Sequence, residues 1–99
     1  MKIESTNHSL QIGELTELTA GNAAQFRSQI GAIIQGAHDE VSLDLSSTDL
    51  IDSTGVGVLL SLNKLMVKRN GHLRIVHPSR AVSRTLELTR LNRIFEVVK

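Results

Sequence analysis

The chain has no cysteine, no tryptophan and no tyrosine, and its aromatic residues are two phenylalanines in 99 residues. Without cysteine there is no disulfide framework and no thiol chemistry, a pattern compatible with the cytoplasm, where the chain is expected to act. With so few aromatic rings, bases would find little to stack on, which argues against nucleic acid as a partner. No apolar run approaches the ~18 residues of a membrane span, so no direct membrane insertion is expected. The start, MKIESTNHSL, lacks the apolar block of a secretory signal. There is also no repeat, linker or low-complexity stretch, and one domain over residues 1–99, with a modest core, is expected.

What is present is ordinary globular composition, 40% hydrophobic and 21% charged, rather than that of a disordered tail. The net charge of +1 conceals an asymmetry. Residues 1–52 carry two Lys or Arg against eight Asp or Glu, whereas residues 53–99 carry nine against two. Such a division marks an electrostatic partner surface in some proteins. The simpler reading is two halves of one domain that attract each other.

Hydrophobic periodicity gives alternating elements. A short strand is expected at Lys2 to Ser5, and SLQIGE (Ser9 to Glu14) alternates as a half-buried strand with Leu10 and Ile12 on one face. From Ala20 to Gln35, Ala23, Phe26, Ile30, Ile33 and Ile34 recur at helical spacing, and Gly36 stands where a helix commonly stops. VSLDL (Val41 to Leu45) is a strand and SSTDLID a loop. A second helix is expected from Thr54 to Arg69, ended by Asn70 and Gly71. HLRIVH is the next strand. Pro78 and Ser79 open a third helix, with Pro in its first turn and Val82, Leu86 and Leu88 loosely periodic; IFEVV is the last strand. The expected class is α/β: a mixed sheet with helices alternating along the chain and parallel strand pairs in its later part.

The stretch DLIDSTGVGVLL (Asp49 to Leu60) carries the functional question. On the second helix Gly57, Ser61, Lys64 and Lys68 fall on one narrow polar ridge, and most of the remaining circumference is apolar. A core helix with a solvated stripe accounts for most of this. Val56, Leu60 and Val67 lie at the ridge edge, where a partner would meet them. Asp52, Ser53 and Thr54 are each able to cap the first-turn amides, a contribution of roughly 1 kcal/mol. One cap suffices, so a hydroxyl is left over. A phosphate on Ser53 would add about −1.5 to −2 charges at a helix N-terminus, tolerated by the helix dipole and opposed by Asp49 and Asp52. That makes a switch for binding rather than folding.

Other chemistries are poorly supported. IDSTG is not the G-x-S-x-G of a nucleophile elbow. His8, His38, His72 and His77 are scattered, with neither triad placement nor zinc-ligand spacing. GVGVLLS lacks the Gly-Lys-Ser/Thr ending of a phosphate-binding loop. Catalysis is not expected, and neither is a cofactor or a metal.

LDLSSTDLIDSTGVGVLL resembles the central motif of STAS domains, in particular the bacterial anti-sigma factor antagonists: a strand ending in D-L-S, a short loop, then D-S-[ST]-G-[hydrophobic]-G. GELTELTAGNAAQF and AVSRTLELTRLNRIFEVV are similar to the family's first-helix entry and its closing helix and strand. The resemblance implies partner switching. The unphosphorylated protein binds a Ser/Thr protein kinase that doubles as an anti-sigma factor. That kinase uses ATP and magnesium to phosphorylate the Ser after the motif Asp, breaking the complex, and a PP2C-type phosphatase restores it. Carried to this chain, Ser53 is the acceptor and Asp52 its neighbour, with Thr54 and Gly55 completing the motif and Gly55 leaving room for close backbone approach. The kinase would dock on Asp52, Thr54, Gly55, Val56, Gly57, Leu60, Ser61 and Lys64.

Two departures stand out. Arg90 occupies a position where the family often has Gly after the third helix, so that helix is expected to end differently, and the sequence reaches only Lys99 where many members continue into a further helix. The alternative function is a constitutive STAS subunit of a transport or other multiprotein complex, with Ser53 only a cap. A third, an acyl-transfer enzyme using Ser53, has little behind it. Ser61 and Thr48 are the other hydroxyls to be considered as minor acceptors. Nothing in the sequence argues for an obligate oligomer, and a monomer is expected.

Overall fold

The computed structural model describes residues 1–34 and 38–99. Strands β1 (Lys2–Ser5), β2 (Ser9–Gly13), β4 (Glu40–Asp44), β6 (His72–Val76) and β7 (Glu96–Val98) form a five-stranded sheet in the order β1-β2-β4-β6-β7. The β1–β2 hairpin is antiparallel, closed by the Thr6 amide donating to the Ser9 carbonyl at 2.9 Å, and every other pairing in this sheet is parallel. Helices α1 (Ala23–Ile33), α2 (Ser53–Lys68) and α3 (Arg80–Leu88) supply the second layer. The mixed α/β class expected from the sequence is the one observed.

Strand alternation explains why one face carries the helices. Register places Leu10, Val41 and Leu73 in one row across β2, β4 and β6, and Ile12, Leu43 and Ile75 in the next. All six are buried, together with Phe26 and Ile30 of α1, Leu59, Leu62 and Met66 of α2, and Val82 and Leu86 of α3. Residues of the other parity face outward and are mostly polar, with Val76 and Val98 paired among them. There Arg74 reaches Glu96 at 3.0 Å and Glu40 at 3.6 Å, and His72 lies 3.3 Å from Glu40. A largely one-sided apolar pattern therefore gives a two-layer fold even though most of the sheet is parallel.

Several boundaries differ from expectation for identifiable reasons. α1 begins at Ala23 rather than Ala20, because Asn22 folds its side chain back on the preceding turn. Its amide donates to the Glu17 carbonyl at 2.7 Å, and its Oδ1 accepts from the Thr19 amide at 2.9 Å. The expected helix end at Gln35 and Gly36 lies outside the described residues. Pro78 is not in the first turn of α3: Ser79 is the cap, accepting from the Val82 amide at 3.1 Å, and Pro78 precedes it. The last strand is shorter than IFEVV, since Leu91–Arg93 form a 3₁₀ turn that seats Phe95 in the core.

The stretch expected to be only a loop before α2 contains a strand. β5 (Leu50–Ile51) pairs in parallel with β3 (Glu17–Leu18) as a second, two-stranded sheet. α2 begins directly beyond it.

Candidate functional site

The N-terminus of α2 is held on three sides. Asp49 and Asp52 donate their amides to the carbonyls of Thr16 and Leu18, at 3.2 and 3.3 Å, extending the β3–β5 pairing to the helix start. Thr48 is fully buried, and its hydroxyl donates to the Leu15 carbonyl at 2.5 Å. The Thr48 carbonyl accepts from the Ser79 hydroxyl, which ties this loop to the start of α3. Thr48 is therefore committed to the fold, and the expectation of it as a minor phosphate acceptor is corrected.

Of the three candidate caps, Asp52 is the one used. Its Oδ1 accepts from the Gly55 amide at 2.9 Å, and its Oδ2 accepts from the Ala20 amide at 2.9 Å. One carboxylate thus caps α2 and clamps the β3–α1 turn onto it. Those two amides, Gly55 first, hold its pKa below the ordinary aspartate value, so it is ionised at neutral pH. Ser53, the first helical residue, and Thr54 after it are both exposed, and neither hydroxyl makes a hydrogen bond with a described residue.

Gly55 is where β3 and α2 approach most closely. A Cβ placed there would lie 1.9 Å from the Leu18 carbonyl oxygen and 2.8 Å from its carbon. Only a residue without Cβ lets the first turn of α2 sit on β3. Gly55 and Val56 were both expected on a partner surface. Both are buried, Val56 with 8% of its surface exposed, because they face β3 and the core.

The structure gathers the remaining motif residues on the outer side of α2. Ser53, Thr54, Gly57 and Lys64 are exposed, and Leu60 and Ser61 are half-buried. Val67, near the C-terminal end, is exposed. A Cβ at Gly57 would meet nothing within 4 Å, so the fold makes no demand for glycine there. Ser61 carries a contact that periodicity does not show: its Oγ accepts from Arg27 Nε of α1 at 2.9 Å. Arg27 extends the polar ridge from a second helix, and no spacing rule links residues 34 positions apart.

Histidine does not contribute to this constellation through the contacts seen. His38 is buried and its Nε2 lies 2.8 Å from the Ser5 hydroxyl, and His72 belongs to the outer sheet face. At the far end of α3, Arg90 adopts the left-handed conformation, φ 61° and ψ 18°, that a glycine would take. The departure from the family pattern therefore places the strain of a left-handed backbone on an arginine.

A family model described as the STAS domain matches residues 13–99. This chain belongs to the STAS domain family. A Thermotoga maritima protein named as an anti-sigma factor antagonist is 30% identical over 82 residues, spanning 82% of this STAS domain and 73% of the relative. The crystal structure of an anti-sigma factor antagonist from T. maritima matches with a TM-score of 0.89 at 25% identity, covering 99% of this chain and 85% of that one. SpoIIAA, an anti-sigma factor antagonist, shares the fold in two states. Its unphosphorylated form matches with a TM-score of 0.83 at 24% identity, covering 99% of this chain and 87% of that one. Its phosphorylated form gives 0.76 at 23%, covering 99% and 90%.

Proposed function

We propose that this STAS domain is a phosphorylation-controlled partner switch of the anti-sigma factor antagonist kind. The unphosphorylated form binds a Ser/Thr protein kinase that doubles as an anti-sigma factor, and phosphorylation of Ser53 releases it. A PP2C-type phosphatase returns the binding form. The chain itself is non-enzymatic, cytoplasmic and monomeric, and ATP and magnesium belong to the kinase. Among the described residues no helix is long and apolar enough to cross a membrane.

The observation that supports this reading is the division of labour at the start of α2. Asp52 takes the capping role, which leaves the Ser53 hydroxyl exposed and unoccupied on a well-anchored turn. Transfer of the γ-phosphoryl group to Ser53 Oγ, with loss of its proton and departure of ADP, places about −1.5 to −2 charges beside the ionised Asp52. The positive end of α2 accommodates that charge in the free protein, so the fold survives. A partner packed against Gly57, Leu60 and Lys64 must bury or repel it, and the complex dissociates. The constitutive-subunit reading assigns Ser53 the cap, and Asp52 already fills that position.

The test is incubation with ATP, magnesium and a Ser/Thr kinase of the anti-sigma type, followed by mass-spectrometric mapping. Phosphate is expected on Ser53 and absent in Ser53→Ala, which binds the kinase in a form that ATP no longer reverses. Thr54→Ala and Ser61→Ala are phosphorylated like the parent. Phosphate confined to Thr54, or release of Ser53→Ala on adding ATP, overturns the assignment.

A further inference from the structure

Beside the α2 terminus lies a groove of about 570 Å³ between β5 and the first two turns of α3. One wall is formed by Leu50 and Ile51, the other by Arg80, Arg84 and Thr85. Leu50 is 59% exposed, an unusual position for a leucine in a strand whose neighbours pin it to both β3 and α3. Arg80 and Arg84 are four residues apart and therefore stack on one face of α3. Both are exposed, and neither forms an ion pair among the described residues. Further along, Arg90 and Arg93 are exposed too, with Glu87 the one acid between Arg80 and Arg93. The groove itself has a single acid, Asp49, at its rim.

We infer that this groove is a second docking element for the kinase, and that it receives an acidic segment of that partner carrying one aliphatic side chain. The inference rests on the switch reading above and adds to it a partner chemistry and a place. The aliphatic group covers Leu50 and Ile51, and carboxylates face Arg80 and Arg84. Charge complementarity selects the occupant: two unpaired guanidinium groups on one wall favour carboxylates, and an exposed leucine on the other favours a peptide over nucleic acid. Position makes the element relevant. Ser53 follows Ile51 by two residues, at most about 7 Å of chain, so a protein gripping the Ser53 turn also covers the groove. Exposed cations at an interface rim act chiefly on the association rate and lose their effect with salt, since screening sets in at about 8–10 Å at physiological ionic strength.

Two measurements separate this inference from the reading it rests on. The first uses a kinase shown to phosphorylate Ser53, loaded with a non-hydrolysable ATP analogue, and follows association by stopped flow from 20 to 500 mM NaCl (roughly 21 to 4 Å of screening length). The double variant Arg80→Glu/Arg84→Glu is expected to associate at least about tenfold more slowly at the lowest salt, with a flattened salt dependence. Leu50→Ser is expected to weaken binding roughly tenfold through dissociation. Lys2→Glu, on the outer sheet face, is the control and changes neither. Unaltered rates in the double variant, with Ser53 still phosphorylated, overturn the groove and leave the switch standing.

The second measurement needs no kinase. A peptide of alternating Glu and Leu, titrated into ¹⁵N-labelled protein, is expected to shift the amides of residues 49–51 and 80–85. It should shift them neither in the double variant nor when Lys replaces Glu in the peptide. Shifts from a single-stranded oligonucleotide with none from the acidic peptide assign the surface to nucleic acid and overturn the inference, as does a peptide response unchanged in the double variant. Retained thermal midpoints confirm that each variant is folded.

Discussion

Gly55 and Gly57 stand two residues apart in the same helix, and alanine at each is expected to have opposite effects. At Gly55 the added Cβ would sit 1.9 Å from the Leu18 carbonyl oxygen, against an ordinary contact distance of 3.4 Å or more. The obstacle is backbone on both sides, so no side-chain rotation relieves it. The first turn of α2 must lift from β3 by about 1.5 Å, the difference between those two distances. That movement strains the Asp52–Ala20 bond and the bond from the Asp52 amide to the Leu18 carbonyl. Overpacking costs about 1–3 kcal/mol and each weakened hydrogen bond about 0.5–1.5, so a loss near ~3 kcal/mol is expected. For a domain of this size that lowers the melting temperature by about 12–24 °C. At Gly57 the Cβ enters open space, and alanine in a helix interior gains up to ~1 kcal/mol, or about 4–8 °C. Urea denaturation followed by circular dichroism at 222 nm, with equal m-values required, measures both. A loss below ~1 kcal/mol for Gly55→Ala, or any loss for Gly57→Ala, refutes the packing argument.

Asp52→Asn keeps one capping oxygen but offers no second acceptor to the Ala20 amide. Because the carboxylate's folded pKa is depressed, its stabilisation is complete above the unfolded value near ~4 and disappears as pH falls through the folded one. The stability gap between parent and variant is therefore expected to be constant from pH 7 to about 5 and to shrink toward pH 2; a pH-independent gap contradicts the charge assignment. Ser79→Ala removes the α3 cap and the bond to the Thr48 carbonyl, and equilibrium unfolding is expected to register a loss of about 1–2 kcal/mol. A change under ~0.5 kcal/mol would show that loop and helix are held by other contacts. Arg90→Gly relieves a left-handed arginine whose strain is about 1–2 kcal/mol, offset by the greater chain entropy of glycine, so calorimetry is expected to show a small rise in melting temperature. A fall would mean that the Arg90 side chain contributes more than its backbone costs.

Short-range pattern determined much of this protein from the sequence by itself. The alternation of Leu10 with Ile12, of Val41 with Leu43, and of Leu73 with Ile75 names three strands and their buried face, since side-chain direction in a strand depends only on residue parity. The D-S-T-G stretch marks a helix start and a surplus hydroxyl for the same local reason, and its likeness to the family motif carries the functional reading. Other features came from contacts between residues far apart in the chain. Strands β3 and β5 have two residues each, too short for periodicity, and exist because they pair across 33 positions. Asp52 prevails over Ser53 and Thr54 as the cap because it alone also meets the Ala20 amide, 32 residues earlier. Gly55 and Val56 turn inward because β3 lies beneath them. The pairing of Arg27 with Ser61, and the groove that sets Leu50 opposite Arg80 and Arg84, likewise required the helices and strands to be packed. Periodicity reports the environment of one element at a time, and these features belong to the space between elements.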